Sequence, residues 1–470
     1  MRYDYRLAFK TGVQVVDLDG VVQIIDMSGR CIRLNRPDDA RRRLLSGLLT
    51  GGQTAGRLCT GADPARLHYL LLTLEHRGFL TYSVSDGGVV ARLETCSPKF
   101  AFRDQAATDG AFRLSRFSCL RRVGDGAVLE GPLGHARVLV GNAATAAMVA
   151  LLCAPHTVGA LVSTVAGVEV EAAGAFLELL ANAGVAQACD GDGRLPEDEH
   201  TALPQWEFHD LLFHTRSRAG RHDQPVGGTF RFRDRIAPLP AIKAVMSDRR
   251  IALHKPDLDA DLDDHGPPFW SVLSHRASVR RSGPCPIQAE TLGAFLYRVG
   301  QVKDIMPAAP DRGSLYEASH RPYPSGGAMY SIEFYLAIRR VAGIEPGFYH
   351  YAALDHALEY LGPLDGARQR LLTEATMSAA MNTPPDVQIT LASRFSRVAW
   401  KYQAVAYSLV LKEVGAIYQT MYLVATALGL APCAIGGGNS DMFAEAAGID
   451  YYEETSVGEF MLSGLECTTS

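Results

Sequence analysis

The chain has 470 residues, of which 47% are hydrophobic and 21% charged, and its formal net charge is −5. At ~150 residues per domain this length predicts about three domains, and the composition is typical of a globular protein and not of a disordered one. The modest negative charge argues against a general nucleic-acid binder, which needs a basic field to collect phosphates.

Nine cysteines are scattered along the chain, and no two form a CxxC pair. This spacing predicts reduced thiols in a cytoplasmic protein, with no disulfide framework and no metal site. The amino-terminal segment carries charges where a signal peptide needs an uninterrupted apolar stretch, so export is not expected. Lys412, Glu413 and Gln419 interrupt the apolar run 404–430 and favour a buried core helix over a membrane span.

Residues 1–98 begin with short alternating apolar segments that are separated by the turn dipeptide Asp19-Gly20. These segments predict antiparallel strands. Two helices follow, and the second is capped by Asp63, has Pro64 in its first turn and ends at Gly78. A strand-like segment completes an order of elements that is typical of a small winged-helix-like module.

The same order recurs over residues 111–190. Asp125-Gly126 corresponds to Asp19-Gly20, and Gly184 corresponds to Gly78, at a constant shift of 106 residues. The pattern predicts a tandem duplication, although two stretches of similar composition would also produce it. A winged-helix module can bind DNA, or it can accept a peptide as an added strand along an open sheet edge.

Residues 191–265 predict a linker and bridging segment, because they begin with an acidic stretch that contains glycine and proline. His209, His214 and His222 lie in this segment without a second cluster of ligands at a convincing spacing. They are more typical of surface or interface histidines than of a metal site.

Residues 266–470 read as an α/β region that contains three motifs of interest. Arg276, Ser278 and Arg280 can converge on one anion such as a phosphate, although a basic turn alone is more often only solvated. Pro324–Gly327 leads toward a strand, and its glycines allow either a tight turn or the close approach of a flat ligand. Ile435–Gly438 is a glycine-rich loop without Rossmann or P-loop spacing.

The central motif is Trp400–Gln403, where we expect the chemistry to occur, and it precedes the apolar run 404–430. The pattern predicts one long buried helix with a polar pair, Lys401 and Tyr402, at its mouth. The ordinary interpretation of such a pair is a lysine that reaches to solvent beside a core tyrosine.

Together these motifs resemble the nitroreductase-like flavoprotein superfamily, and within it the SagB-type peptide dehydrogenases, which are the azoline oxidases of cyanobactin-like peptide pathways. The resemblance extends over residues 204–465. The duplicated first half also resembles, with less specific motifs, the peptide-clamp modules of the longer cyanobactin-type oxidases. The resemblance implies an α+β, nitroreductase-like domain at 266–470, preceded by two winged-helix-like modules, in a homodimer with FMN at its interface.

The resemblance also implies roles for individual residues. Lys401 and Tyr402 match the Lys-Tyr pair that azoline oxidation requires in this family. The segment 460–470 lacks the basic residue that reaches the phosphate in many relatives, and Gln403 and Ser408 replace a Gly and an Arg that are common in other branches. The matched FMN-binding residues are Arg276, Ser278 and Arg280 for the phosphate, and Pro324, Ser325, Gly326, Gly327, Gly436 and Gly437 for the isoalloxazine ring.

The expected function is FMN-dependent dehydrogenation of thiazoline or oxazoline rings in a ribosomally made precursor peptide. A proton leaves Cα and a hydride passes from the adjacent ring carbon to the flavin. Lys401 can accept the proton only if burial or nearby positive charge lowers its pKa, and Tyr402 could polarise the ring nitrogen or relay the proton, so the identity of the base stays open.

The expected partners are the heterocyclised peptide and a cyclodehydratase, with no nucleic acid and no membrane. Two alternatives remain from the sequence. One is a small-molecule flavin reductase of nitroreductase type, and the other is a non-catalytic flavin-bearing peptide scaffold.

Overall fold

The computed structural model describes residues 3–27, 29–60, 63–103, 110–257 and 266–465. The chain forms two compact units, Met1–Val226 and Gly227–Ser470. The boundary between them lies inside the segment 191–265. The finer division of the first half into modules 1–98 and 111–190 stays a prediction.

The first unit contains twelve strands and eight α-helices among its described residues. Its strands are β1 (Arg6–Phe9), β2 (Gln14–Leu18), β3 (Val21–Ile25), β4 (Cys31–Asn35), β5 (Gln53–Thr54), β6 (Leu80–Val84), β7 (Ala91–Thr95), β8 (Phe112–Leu114), β9 (Cys119–Val123), β10 (Gly126–Glu130), β11 (Ala136–Val140) and β12 (Ala186–Ala188). Its helices are α1 (Asp39–Thr50), α2 (Ala55–Leu58), α3 (Pro64–His76), α4 (Ala143–Leu151), α5 (Val158–Thr164), α6 (Val170–Asn182), α7 (Pro196–Glu199) and α8 (Phe208–Arg216).

The order of elements repeats within this unit, as the sequence predicts. One strand, a group of three strands, three helices and one strand make up β1 to β6, apart from the short β5, and the same order makes up β8 to β12. Gly78 and Gly184 both have positive φ, 73° and 70°, at the equivalent helix-to-strand turn. Asp63 caps α3 by accepting a hydrogen bond from the amide of Arg66, as predicted.

The two copies share one seven-stranded sheet in the order β5-β1-β6-β7-β11-β10-β9, because β7 pairs with β11. The strands β2, β3 and β4 form a separate three-stranded sheet. The predicted turn Asp19-Gly20 joins β2 to β3. In the second copy the hairpin loop is Gly124-Asp125, one residue earlier than predicted, because Gly126 already pairs with Val123 as the first residue of β10.

The second unit contains thirteen strands and six α-helices among its described residues. Its strands are β13 (Gly227–Gly228), β14 (Arg250–Ala252), β15 (Ile287–Gln288), β16 (Asp304–Met306), β17 (Ala318–His320), β18 (Ile332–Ile338), β19 (Val341–Ala342), β20 (Gly347–Ala352), β21 (Ala357–Gly362), β22 (Val387–Ser393), β23 (Tyr402–Gln403), β24 (Leu430–Ile435) and β25 (Thr455–Gly464). Its helices are α9 (Phe269–His275), α10 (Ala289–Gly300), α11 (Gly366–Ser378), α12 (Phe395–Lys401), α13 (Ala406–Ala427) and α14 (Ser440–Ala447).

An antiparallel sheet in the order β14-β21-β20-β18-β22-β25-β24 forms the centre of this unit. All seven residues of β18 are buried. Ile332, Phe334 and Leu336 join the core that includes α10 and α13, whereas Tyr335 and Ala337 join the core that includes α11 and α14. This alternation follows from the two-residue period of a strand, and it places helices on both faces of the sheet.

The long helix α13 is buried along one face, where Val410, Val414, Ile417 and Met421 follow a helical spacing. It begins at Ala406 and not at Trp400, because Ala404 has a positive φ of 61° and interrupts the helix. The predicted buried helix over 404–430 is thus present as α13, whereas Lys401 and Tyr402 belong to the end of α12 and to β23 and not to the start of that helix. Within the part of the chain that the structure describes, no helix is long and apolar enough to cross a membrane.

The cysteines differ from the prediction at one position. Cys285 is disulfide-bonded, so the expectation that all nine thiols are reduced is wrong there. Cys467 lies outside the described residues, and the other seven cysteines are free. The spacing of cysteines along the sequence carries no information on which of them approach each other in the fold.

Candidate functional site

Lys401 and Tyr402 lie at the junction between α12 and β23. Tyr402 pairs with Gly228 of β13, and the backbone carbonyl of Lys401 accepts hydrogen bonds from the amides of Thr229 (3.0 Å) and Phe230 (3.1 Å). The indole of Trp400 is buried and donates to the carbonyl of Ile236 (2.6 Å). The segment 227–236 therefore fixes the backbone of the pair.

The side chains of the pair converge on Gly327. Gly327 has a φ of +64°, and a methyl group at its Cα would collide with Lys401 Nζ and with Tyr402 Oη. Lys401 Nζ donates a hydrogen bond of 2.5 Å to the hydroxyl of Tyr316, which in turn donates one of 2.8 Å to the carbonyl of Gly327. We refer to Tyr316, Gly327, Lys401 and Tyr402 as the Lys–Tyr end.

The protonation of Lys401 follows from these contacts. Partial burial acts to lower the pKa of Lys401, but the hydrogen bond to Tyr316 and the nearby Tyr402 outweigh it, and the pKa is raised. Lys401 is therefore an ammonium at neutral pH. The condition under which Lys401 could be the proton acceptor, a lowered pKa, is not met in this arrangement.

Ser325, in the predicted flavin loop Pro324–Gly327, is engaged inside the protein. Its hydroxyl donates to Glu413 Oε2 (2.8 Å) and accepts from the amide of Tyr330 (3.0 Å). Its only proton is thus committed to Glu413, so in this arrangement Ser325 does not donate to the edge of a heteroaromatic ring. The loop continues as a short 3-10 turn, Gly326–Ala328, before β18 begins at Ile332.

Glu413 is a buried carboxyl group on α13, directly behind this loop. Burial raises the pKa of Glu413 to about 7, although Ser325 and the guanidinium groups of Arg321 and Arg397 act to lower it. Its second oxygen, Oε1, is buried and has no hydrogen-bond partner among the described residues. Glu413 had a signal in the sequence, since it is a carboxylate on the apolar face of a helix.

Arg276, Ser278 and Arg280 lie near the other end of α13. The Arg276 guanidinium lies 5.2 Å from the ring centre of Tyr422, and Ser278 Oγ is 2.7 Å from Tyr422 Oη. The amide of Val279 donates to the carbonyl of Pro432 in β24 (2.8 Å), which holds this segment beside the strand. Neither arginine forms an ion pair with a carboxylate in the described ranges, so both charges remain available to an anion.

The glycine loop that follows β24 has free space beside two of its Cα atoms. A methyl group added at Gly436 or Gly437 would have no atom within 4 Å. Gly438 differs, because a methyl group there would collide with the carboxylate of Glu459. We refer to Arg276, Ser278 and Arg280, together with the loop Gly436–Gly438, as the basic end.

A cavity of about 300 Å³ lies beside this loop and is lined by residues of α13, β25 and the loop itself, including Tyr418, Ser456 and Glu459. Burial raises the pKa of Glu459 to about 7. A buried carboxyl group with a pKa of about 7 therefore lies beside each end: Glu413 beside the Lys–Tyr end and Glu459 beside the basic end.

The predicted site residues thus form two groups and not one pocket. Glu413 contacts the first group and Tyr422 the second, and they are separated by nine residues of α13, or about 14 Å at ~1.5 Å per residue. Tyr316 was missed from the sequence, because it lies in a loop where no spacing marks it.

Two family models match separate parts of the chain. Residues 273–462 match the nitroreductase family, and residues 112–223 match the cyanobactin oxidase ThcOx. The match to the nitroreductase family confirms the predicted class: residues 273–462 form a nitroreductase-like oxidoreductase domain. It also confirms the predicted α+β, nitroreductase-like fold of this half.

Individual relatives include a putative nitroreductase and two peptide-processing proteins. "Putative nitroreductase MJ1384" of Methanocaldococcus jannaschii is 28% identical over 165 residues, which cover 35% of this chain and 76% of the relative. The microcin B17-processing protein McbC of Escherichia coli is 32% identical over 26% of this chain and 45% of its own length. The trifolitoxin-processing protein TfxB of Rhizobium leguminosarum bv. trifolii is 30% identical over 24% and 31%. The chain thus spans less than half the length of McbC and TfxB.

Among solved structures, the E. coli microcin synthetase McbBCD complex with truncated pro-MccB17 bound is similar at 19% identity, with a TM-score of 0.33. The match covers 55% of this chain and 91% of the other.

The residues present fit a phosphate-bearing flavin. Two arginines without carboxylate partners suit a phosphate group, because guanidinium groups bind phosphate oxygens through charge-assisted hydrogen bonds. The open faces of Gly436 and Gly437 leave room for a flat ring to approach the backbone.

Proposed function

We propose that the protein dehydrogenates thiazoline and oxazoline rings of a ribosomally made peptide to thiazoles and oxazoles, with FMN as the cofactor. The observation that carries the proposal is the convergence of Lys401 Nζ and Tyr402 Oη on Gly327 in the loop Pro324–Gly327. It is supported by the match to a cyanobactin oxidase and by relatives that process microcin B17 and trifolitoxin.

The cofactor would lie between the basic end of one chain and the Lys–Tyr end of a second. Arg276, Ser278 and Arg280 would hold its phosphate, and the loops Pro324–Gly327 and Gly436–Gly437 would face its ring. The separation of the two ends along α13 supports this homodimer, because the phosphate contacts lie at the basic end whereas the loop Pro324–Gly327 lies at the Lys–Tyr end. FMN, when bound, accepts the hydride from the azoline ring.

The residues of the Lys–Tyr end handle the proton. Because Lys401 is an ammonium, we assign the role of proton acceptor to Tyr402, whose oxygen lies beside the Lys401 charge at Gly327. Tyr402 takes the Cα proton of the azoline while the hydride leaves the adjacent ring carbon. The ring loses one proton and one hydride, and a carbon–carbon double bond between Cα and the adjacent ring carbon completes the aromatic system.

The first unit would bind the peptide through winged-helix-like modules. The strands β2 and β9 occupy equivalent positions in the two copies, and both lie at the edge of a sheet. Each exposes two apolar side chains, Val16 and Leu18 on β2, and Leu120 and Val123 on β9. An open edge can pair with an extended peptide through main-chain hydrogen bonds.

A cyclodehydratase that forms the azolines would be the partner enzyme.

The proposal is tested by incubating FMN-loaded protein with a heterocyclised peptide and measuring the peptide mass. We expect a loss of ~2 Da for each ring, since one proton and one hydride leave. A holoenzyme that leaves azolines unchanged but reduces nitroaromatics with NAD(P)H would contradict the proposal. That outcome would favour the small-molecule reductase to which the similarity with MJ1384 also points.

A further inference from the structure

Tyr316 lies in the loop between the 3-10 turn Pro310–Arg312 and β17, and its side chain is half-buried. Its hydroxyl donates to the carbonyl of Gly327 and accepts from Lys401 Nζ. A tyrosine hydroxyl has one proton, so with that proton on Gly327 its lone pairs face the ammonium. One side chain thus joins the lysine of the pair to the flavin-facing loop.

The position of Tyr316 is fixed by its neighbours. The backbone carbonyl of Glu317 accepts a hydrogen bond from the buried Arg397 (3.1 Å), and the Glu317 carboxylate accepts one from the amide of Ala241 (2.7 Å). The ring of Tyr316 packs edge-on against that of Trp400, with 6.3 Å between ring centres. The Tyr316 hydroxyl is therefore held in place by contacts that do not involve Lys401.

The hydroxyl groups of Tyr316 and Tyr402 both interact with the Lys401 ammonium. Within the described ranges no carboxylate lies within ion-pair distance of Nζ. The ammonium lies 4.9 Å from the ring centre of Tyr316 and 5.1 Å from that of Tyr402, on the side where Gly327 leaves room for it. A lysine side chain has four rotatable bonds, so the hydrogen bond to the fixed oxygen of Tyr316 restricts where the charge lies beside Tyr402.

We propose that Tyr316 is a positioning residue that holds the Lys401 ammonium beside Tyr402 during azoline oxidation, an inference that rests on the proposed function. Tyr316 needs no contact with the peptide or the cofactor for this role. It acts through the geometry and the charge of Lys401.

Kinetics of the Tyr316→Phe holoenzyme test this role, because the substitution removes one oxygen atom and keeps the ring. We expect kcat to fall about tenfold, the loss that accompanies a misplaced catalytic group, at unchanged KM. The high-pH limb of the pH–rate profile should move to lower pH, because the hydrogen bond from Lys401 to Tyr316, which helps to raise the pKa of Lys401, is lost. Wild-type kcat and pH profile in Tyr316→Phe would overturn the proposal.

Tyr349→Phe is the matched control, since the Tyr349 hydroxyl also donates to a backbone carbonyl, that of Glu345, at 2.7 Å. We expect this variant to keep both kcat and the pH profile. Equal losses in the two variants would show that only structural hydrogen bonds had been removed, and would overturn the proposal.

A second measurement follows the protonation of Lys401 and does not depend on azoline oxidation. Acetic anhydride acylates free amines, and peptide mapping of the FMN-loaded protein gives the pH midpoint of acylation for Lys401 and, as an internal standard, for the exposed Lys412. In Tyr316→Phe the Lys401 midpoint should fall to lower pH while that of Lys412 stays constant. An unchanged Lys401 midpoint overturns the proposal. If the wild-type enzyme leaves azolines untouched, the proposed function fails, and the midpoint still reports the contact.

Discussion

The Lys–Tyr end and the basic end both contact the helix α13, but their cations differ in the partners that the protein gives them. Lys401 is bonded to Tyr316 inside the protein and is half-buried. Arg276 and Arg280 have no carboxylate partner in the part of the chain that the structure describes. A cation that the fold already orients is suited to act on a reaction, whereas a cation without a partner is suited to bind an anion.

The largest effect is expected at the Lys–Tyr end. Lys401→Ala removes the compensating charge and should lower azoline oxidation by about a thousandfold, the upper range for loss of one group that stabilises developing charge electrostatically. FMN content, measured by absorbance, should stay that of the wild type. A scaffold without catalytic function would be indifferent to this change.

Lys401→Arg is the matched control, because arginine keeps the positive charge and cannot act as a base at neutral pH. If Tyr402 is the base, the arginine variant should keep measurable turnover, and Tyr402→Phe should have none. Equal inactivity of Lys401→Arg and Lys401→Ala, with residual activity in Tyr402→Phe, would assign the base to Lys401.

The next largest effect concerns the buried carboxyl of the Lys–Tyr end. The folded-state pKa of Glu413 is raised from 4.5 to about 7, so the folded protein binds the proton more tightly than the unfolded chain does. This group therefore costs stability as the pH rises from 4.5 through 7, by up to about 3 kcal/mol at ~1.4 kcal/mol per pH unit. Glu413→Gln should remove this dependence.

Urea unfolding at pH 5 and pH 8 measures this pH dependence of the free energy of unfolding. The stability of Glu413→Gln relative to the wild type should be higher at pH 8 than at pH 5, and Glu459→Gln should show a similar change at the basic end. Glu290, which is exposed, supplies the control Glu290→Gln with no such change. The account of Glu413 fails if its variant and Glu290→Gln have the same pH dependence.

At the basic end the expected effect is on cofactor affinity. Arg276→Ala should weaken FMN binding by about 2 kcal/mol, or roughly thirtyfold, because a charge-assisted hydrogen bond to phosphate is lost. Turnover at saturating FMN should stay within a few-fold of the wild type. Flavin fluorescence titration gives the Kd, and Lys412→Ala serves as the control cation. If the Kd for FMN is unchanged in Arg276→Ala, Arg276 does not bind the phosphate of the cofactor.

The smallest effect is expected at the glycine loop. Gly436→Ala meets no atom within 4 Å, so the apoprotein should keep its stability within about 0.5 kcal/mol. If a flavin ring packs there, the added methyl group should weaken FMN binding by about 1 kcal/mol. Gly438→Ala should instead destabilise the apoprotein, because its methyl group collides with Glu459. An FMN affinity that is unaffected by Gly436→Ala would place the ring elsewhere.

The comparison of the two ends also shows what the sequence could predict. The basic end was recognisable because its residues lie in short motifs, Arg276 to Arg280 and Gly436 to Gly438, whose residue types bind anions and leave room for a ring. The pair Lys401 and Tyr402 was recognisable through a family resemblance. Local spacing also predicted the repeat of the first unit, from its turns and helix ends.

Other features depend on tertiary contacts and were beyond sequence reasoning. Tyr316 is 85 residues from Lys401 along the chain, in a loop with no period. The raised pKa of Lys401 comes from that contact, so the sequence could not decide whether the lysine is charged. The disulfide of Cys285 and the interruption of the helix at Ala404 likewise follow from packing and backbone geometry that composition does not encode.

An anaerobic single-turnover experiment links reduction of the flavin to oxidation of the peptide. Oxidised, FMN-loaded protein is mixed with a heterocyclised peptide, and bleaching of the flavin is recorded together with the peptide mass. We expect each reduced flavin to correspond to one azoline converted to an azole, and Lys401→Ala to show neither change. Flavin that bleaches with NAD(P)H but stays oxidised in the presence of the peptide would contradict the proposed azoline dehydrogenation.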